Sequence, residues 1–292
     1  MADGIDHFWQ RERTTVEGRL ERLIETNRFT IAVVFPVMGA IILLASTWGL
    51  LPPQLAFNPL LLFFGVTVMR APLLVGILPV LNRRAVAFVG VLAIYSWGIE
   101  WVGVRTGWPY GAFEYGVSLG PMVLGEIPLL LPVLFLPIAI NAYLLCILLL
   151  ERTAIRRQLF LPIAILATIT LDFVLDPAAV GIGFWTFEDR GRYYGVPWRN
   201  YGGWVLSGTV AVVGIHLAFD REQLIERLHD CQFMLDDLIS FVILWGIVNL
   251  LLLQLIPAAI AVAVGLGLWW VDRLDLIVAT GPGTDQATPG ER

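Results

Sequence analysis

Long apolar runs dominate this chain and constrain what it can fold into. Most of them approach the roughly 20 residues that a helix needs to cross a bilayer. Eight runs are present, at 30–51, 58–81, 85–103, 122–150, 159–180, 202–219, 237–255 and 257–271. Charged residues make up only 15% of the sequence, against about 25% in a soluble globular protein. The pattern predicts an all-α integral membrane protein, a polytopic helical bundle of about eight transmembrane helices.

The last two runs meet near Pro257 and allow two interpretations. The chain either turns tightly there to form a hairpin, or one kinked helix continues through the proline and the number of helices falls to seven. We expect the hairpin, because about 35 apolar residues would overshoot a bilayer of roughly 30 Å. A single transmembrane domain over 30–271 then lies between an amphipathic cytoplasmic lead-in at 1–29 and a tail at 272–292 whose composition predicts disorder.

The distribution of arginine predicts the orientation in the membrane. All 19 basic residues are arginine, and the absence of lysine excludes a retinal-type pigment, which needs a lysine Schiff base. If the N-terminus is cytoplasmic, most arginines fall in inside segments, as the positive-inside rule expects. We therefore predict a multi-pass protein of the cell membrane with both termini in the cytoplasm. The loops after the third and fifth spans then face outward together.

Two segments run from apolar spans into these outer loops and carry carboxylates. A carboxylate within a membrane needs a partner, a water path or a chemical role. The segments cover 98–116 and 171–204, and their acids are Glu100, Glu114, Asp172, Asp176 and Glu188. Another acid, Glu126, lies in the apolar run LGEIPLLLP. We interpret the acids in the membrane as one functional cluster.

Asp172 and Asp176 are four residues apart and therefore share one face of a helix. Pro177 follows, which predicts that the span ends or kinks at this pair. Two close carboxylates in a poor dielectric do not both ionise easily, so the pKa of one should rise, and a group that stays protonated suits general-acid chemistry. The alternative is structural, with one aspartate capping a helix and the other pairing with an arginine.

Arg70 lies in the middle of the second span. A mid-membrane arginine usually faces the bundle interior and pairs with an acid, so we expect a structural salt bridge, with substrate contact as the alternative. Glu100 has Arg70 and Arg105 as candidate partners.

The two outer loops are crowded with aromatic residues. An interfacial aromatic belt explains some of them, but a belt does not need the interleaved glycines. These predict tight turns that fold the rings together: Gly107, Gly111, Gly195, Gly202 and Gly203. Such a pocket suits a flat apolar or cation-forming ligand. The scattered histidines predict no metal site, and no basic patch or phosphate loop indicates nucleic-acid or nucleotide binding.

Three blocks of the sequence resemble the signature motifs of the carotenoid biosynthesis membrane protein family. They read TGWPYGAFEYG, LDFVLDPAA and YYGVPWRNYGGW, and the likeness spans roughly 85–220. The resemblance implies a hydro-lyase, a carotenoid hydratase that adds water to a terminal isoprenoid double bond of a long acyclic carotenoid, as in the conversion of bisanhydrobacterioruberin to bacterioruberin in haloarchaea. It implies a lipid-soluble substrate, water and membrane lipids as partners, contact with other carotenoid-pathway membrane enzymes, and no cofactor.

This chemistry assigns roles to the acids. We expect Asp172 or Asp176 to donate the proton and Glu100 to act as the base or to orient the water, with Asn200 and Tyr194 holding that water. The predicted substrate-binding residues are Trp101, Tyr110, Glu114, Tyr115, Glu126, Trp185, Tyr194, Asn200 and Trp204.

Three other functions fit parts of the sequence. The DFVLD motif at 172–176 has the spacing that binds diphosphate-bound magnesium in prenyltransferases, although we find no second aspartate-rich motif. Broken helices and buried charges suit a transporter, although we find no convincing inverted repeat. The third is a non-catalytic assembly partner for carotenoid enzymes, with purely structural acids.

Overall fold

The apolar runs fold into helices in a computed structural model, which describes residues 15–153 and 157–275. The helices of this part of the chain are α1 (15–26), α2 (Phe35–Thr47, preceded by a π-helical turn at Thr30–Val34), α3 (Pro59–Ile77), α4 (Arg83–Thr106), α5 (Leu131–Glu151), α6 (Phe160–Gly181), α7 (Trp198–Ala218), α8 (Arg221–Asp230), α9 (Asp236–Leu251) and α10 (Leu255–Trp270). Short 3-10 turns lie at Leu78–Val80, Arg157–Leu159 and Gln232–Leu235. The start of the predicted lead-in and the predicted tail beyond residue 275 lie outside the described residues.

Seven helical segments of the described chain are long and apolar enough to cross a membrane, namely those built on α2 to α7 and on α9. Helix α10 is apolar but shorter. The prediction of an all-α polytopic membrane protein is therefore confirmed. The expected hairpin is also present, because the chain turns at 252–254 and α10 packs back against α9. Pro257 lies in the first turn of α10, where its missing N–H removes no helical hydrogen bond.

Local sequence explains where several helices begin and end. The side chain of Asn58 accepts backbone N–H groups at the start of α3, and Asn82 and Asp220 do the same for α4 and α8. Such caps satisfy donors that a helix leaves unpaired in its first turn. Helix α4 ends at Gly107, whose left-handed backbone (φ 68°) is the usual glycine C-terminal cap.

The fourth apolar run departs from the predicted helix. We expected a span over 122–150, but α5 begins only at Leu131. The preceding residues form β2 (Met122–Val123) and β3 (Ile127–Pro128), which pair as a small antiparallel hairpin. Positive φ angles at Gly120 and Gly125 explain why this apolar stretch is not helical.

A second strand pair joins the two aromatic loops. Strand β1 (Phe113–Tyr115) pairs antiparallel with β4 (Trp185–Phe187), so that Phe113 lies opposite Phe187 and Tyr115 opposite Trp185. The loops between α4 and α5 and between α6 and α7 therefore meet at one end of the bundle, as the loop parity predicts.

The bundle is built around α5. Every residue of this helix from Phe135 to Leu148 is buried, as expected for a helix that is apolar on all sides. Helix α4 lies at the periphery and exposes Val86, Val91 and Ile94.

Two buried ion pairs tie α9 to the N-terminal half of the chain. Arg70 of α3 donates to the Asp237 carboxylate at 2.7 Å, and Asn141 of α5 donates to the same carboxylate at 2.6 Å. Arg28 donates to both oxygens of Asp236 at 2.8 Å. The expected structural salt bridge of Arg70 is confirmed.

Candidate active site

A cavity of about 110 Å³ lies beneath the paired loops, between α4, α5, α6 and α7. Its aliphatic wall includes Ile99, Leu131, Leu134, Ile138 and Leu175; its aromatic wall is Tyr110, Phe113, Tyr115, Phe135, Trp185, Phe187 and Trp204; its polar residues include Ser96, Glu100, Asp176 and Asn200. The cavity thus combines a mostly apolar lining with acids on two facing walls.

Helix α6 supplies the paired acids. Asp172 and Asp176 are 0% and 3% exposed. The amide nitrogen of Asn200 donates to Oδ2 of Asp176 and lies 3.5 Å from Oδ2 of Asp172. The amide of Asn200 thus contacts both carboxyl groups of the pair. Asp176 lines the cavity, whereas Asp172 lies behind it.

The pair does not lie at a helix end, where we expected it. Helix α6 continues through Pro177 to Gly181. A proline in a helix leaves the carbonyl four residues earlier without its N–H partner, and here the hydroxyl of Tyr193 donates to that carbonyl, of Phe173, at 3.2 Å. Gln254 donates to the carbonyl of Pro177 itself at 3.0 Å. These side-chain bonds explain why the helix tolerates the proline.

The structural alternative for the aspartates predicted a helix cap and an arginine partner. Among the ion pairs of residues 15–153 and 157–275, none involves Asp172 or Asp176. Both acids lie inside α6 and not at its N-terminus. Their hydrogen-bond partner is the amide of Asn200.

Glu100 of α4 forms the facing acidic wall. Its carboxylate accepts a hydrogen bond from the hydroxyl of Tyr115, and not from Arg70 or Arg105, the partners that we considered from the sequence. Burial and the neighbouring Glu100 raise the pKa of Tyr115 above its ordinary value, so its phenol stays protonated and donates.

Tyr110 reaches the cavity through a gap between two helices. Its ring lies against the backbone of Gly103 on α4 and Gly203 on α7, where side chains would leave no room for it. Its hydroxyl is 2.6 Å from Oγ of Ser207. Burial raises the pKa of Tyr110 well above its ordinary value, so the ring is a neutral aromatic surface, suited to a nearby carbocation.

Other predicted site residues lie away from the cavity. Trp101 carries the Arg105 guanidinium over its ring at 4.6 Å. Arg105 also donates to both oxygens of Glu126, at 2.9 and 3.0 Å, and this ion pair lowers the pKa of Glu126. Glu114 is exposed, because alternation along β1 turns it away from its neighbours. The Tyr194 hydroxyl accepts the backbone N–H of Ile256 at 3.3 Å.

The cavity therefore collects seven of the predicted site residues: Glu100, Tyr110, Tyr115, Asp176, Trp185, Asn200 and Trp204. It also contains Phe113 and Phe187, which belong to the aromatic loops but not to the predicted substrate-binding set, and Ser96, which sequence reasoning missed. Helical spacing offered one signal, because Ser96 lies four residues before Glu100 and so shares its face.

Residues 57–268 match the family described as carotenoid biosynthesis protein. The chain is 54% identical over 264 residues to the bisanhydrobacterioruberin hydratase of Haloarcula japonica, and the alignment covers 90% of this chain and 89% of that protein. No solved structure matches the chain.

Proposed function

The chain belongs to the carotenoid biosynthesis protein family, and we propose that it is the carotenoid hydratase that its site chemistry fits. The reaction adds water to a terminal isoprenoid double bond of a long acyclic carotenoid. We take bisanhydrobacterioruberin as the substrate, because the Haloarcula japonica relative is named as its hydratase. The protein is a multi-pass membrane protein, which gives a lipid-soluble substrate direct access from the bilayer.

One observation carries this proposal: acids on two walls face each other across an apolar, aromatic-lined cavity. Hydration of an alkene needs this combination. The π electrons of the double bond take a proton from an acid, forming a carbon–hydrogen bond and a tertiary carbocation. A water oxygen then bonds to the cation and releases one proton to a base. The atoms of the product are those of the substrate plus one water.

We assign proton donation to Asp176, because it lines the cavity and Asp172 does not. Asp172, one helical turn earlier on α6, supports it through the Asn200 amide that both acids contact. Asn200 orients the Asp176 carboxyl group with its amide nitrogen, and this role replaces the water-holding role that the sequence suggested. Tyr194, whose hydroxyl contacts α10, has no role in the proposed reaction.

Glu100 is the group that we propose to accept the proton from the attacking water. Tyr115 holds its carboxyl group in place through a hydrogen bond. Tyr110 and Trp185 offer ring surfaces to the carbocation between the two acidic walls. Leu134 and Ile138 of α5 continue the apolar lining, and we propose that the polyene chain lies along them.

We propose that the loop end of the bundle faces outward and that both termini are cytoplasmic. The arginine distribution supports this orientation. It would admit water to the site from the outer interface while the hydrocarbon enters from the bilayer.

The site assignment is tested by Asp176→Asn. An amide keeps the shape of the carboxyl group but is not an acid, so turnover should fall about 10²-fold or more while the protein still accumulates in the membrane. Membranes from a host that makes the unhydrated carotenoid are extracted, and the product is measured by chromatography with mass detection. Glu114→Gln is the matched control, since Glu114 is an exposed acid at the same end of the bundle. Near-normal turnover by Asp176→Asn would remove Asp176 from the reaction.

A further inference from the structure

Two buried polar atoms next to the acid pair have no hydrogen-bond partner. They are Oδ1 of Asp172 and the hydroxyl of Tyr201. Tyr201 is 5% exposed, and a buried hydroxyl without a partner is costly to keep. Neither Asp172 nor Tyr201 lines the cavity. Both atoms therefore lie outside the cavity lining, at the acid pair.

Two side-chain contacts bring these residues into one neighbourhood. Phe173, which follows Asp172 on α6, stacks on the Tyr201 ring with centroids 4.1 Å apart and planes 19° from parallel. Asn200, which precedes Tyr201 on α7, reaches Asp172 at 3.5 Å. The two orphaned atoms do not bond directly. Two neighbouring polar groups that miss direct contact are a suitable site for a bridging water.

An aromatic cluster leads from this position to the surface at the loop end. It consists of Phe173, Tyr193, Trp198 and Tyr201, whose ring centroids lie 4.1 to 6.2 Å apart. Trp198 is 62% exposed, in contrast to the buried Tyr201. None of these four residues lines the cavity, so the cluster extends from beside the acid pair to a part of the surface outside it.

We propose that Tyr201 is a positioning residue that holds one water against Asp172 and so returns protons to the acid pair. This inference rests on the hydratase function proposed above. In each cycle Asp176 gives one proton to the substrate carbon, and the attacking water gives one to Glu100, which releases it to solvent. One proton from solvent must then reach the pair. The substrate hydrocarbon covers Asp176 on the cavity side, so this proton reaches the pair through the water on Tyr201 and Asp172.

Tyr201→Phe tests this inference cleanly, because it removes only a hydroxyl that has no protein partner. The ring stack on Phe173 stays, so the protein should accumulate normally. Turnover should fall at least about 10-fold with KM unchanged, and the solvent deuterium isotope effect on turnover should exceed that of the wild type, because proton return becomes limiting.

The matched control is Tyr143→Phe. Tyr143 of α5 is fully buried, and its hydroxyl lies 2.9 Å from Nδ1 of His216, which follows Tyr201 by 15 residues on α7, several helical turns away. This variant loses a hydrogen bond that the protein does make, yet it should keep wild-type turnover and isotope effect.

A second measurement uses the Asp172→Asn background. If the water acts through Asp172, adding Tyr201→Phe should cause little further loss, because residues acting as one unit are not additive. Losses that multiply would overturn the inference, as would wild-type turnover and isotope effect in Tyr201→Phe alone. A wild-type chain that forms no hydration product would instead refute the proposed function, so the two failures are distinguishable.

Discussion

Gly203 does not line the cavity, but replacing it by alanine should displace the cavity residue Tyr110, whose ring lies directly on the α7 backbone at Gly203. A Cβ atom at this position would lie 2.3 Å from Cδ1 and 2.8 Å from Cε1 of Tyr110. Between the two helices the ring has no room to retreat, so it can move only toward the cavity. On its other edge Cδ2 would lie 3.1 Å from a Cβ at Gly103, and its hydroxyl is 2.6 Å from Ser207.

The size of the effect follows from comparison with the adjacent glycine. Overpacking of a buried site costs about 1–3 kcal/mol, while alanine in place of a helical glycine gains up to about 1 kcal/mol. Gly202 lies on the same helix, and a Cβ there would meet nothing within 4 Å. Gly202→Ala thus has the helix gain without the clash, and Gly203→Ala should be the less stable of the two by about 1–3 kcal/mol.

The assay is thermal denaturation of both purified variants in the same detergent, together with product formation in membranes. Gly203→Ala should denature at a lower temperature than Gly202→Ala and should lose activity, since a displaced Tyr110 ring enters the cavity. Equal melting temperatures and equal activities would refute the proposed clash between a side chain at position 203 and the Tyr110 ring.

The buried ion pair and the membrane orientation give two further expectations. Arg70→Met leaves the buried Asp237 carboxylate without its cation and should destabilise the protein by about 3–5 kcal/mol. Adding Asp237→Asn removes the unpaired charge, so the double variant should recover part of this stability in thermal denaturation. Single cysteines in loops 107–130 and 182–197, on a cysteine-free background, should both react with an impermeant maleimide added to intact cells, and labelling only after lysis would reverse the orientation.

The hydropathy of the sequence predicts the helices, but it does not predict the hairpin of β2 and β3. Each apolar run contains a helix, because a membrane span must satisfy its backbone internally. The segment 122–130 is just as apolar, but its glycine and proline content overrides the helix. Mean hydropathy does not distinguish this segment from a helix, whereas its glycine and proline do.

The acids of the site were predictable because buried carboxylates are rare and stand out in apolar sequence. Their neighbours were harder to predict, since contacts such as Tyr110 with Ser207 join α7 to a loop 97 positions away. Tyr194 and Glu114 are the opposite case, because we predicted them as site residues from their place in the sequence and they lie away from the cavity. Both belong to the aromatic loops, but backbone direction turns them away from the cavity.

The origin of the atoms added to the carotenoid tests the central claim most directly. In heavy water, the product should gain one carbon-bound deuteron beside the new carbinol carbon for each end that is hydrated. In oxygen-18 water under argon, the tertiary hydroxyl should carry the label. Acid protonation followed by water capture predicts both results, and mass spectrometry of the extracted pigment measures them. An oxygen atom derived from dioxygen, or a product without the carbon-bound deuteron, would contradict the account.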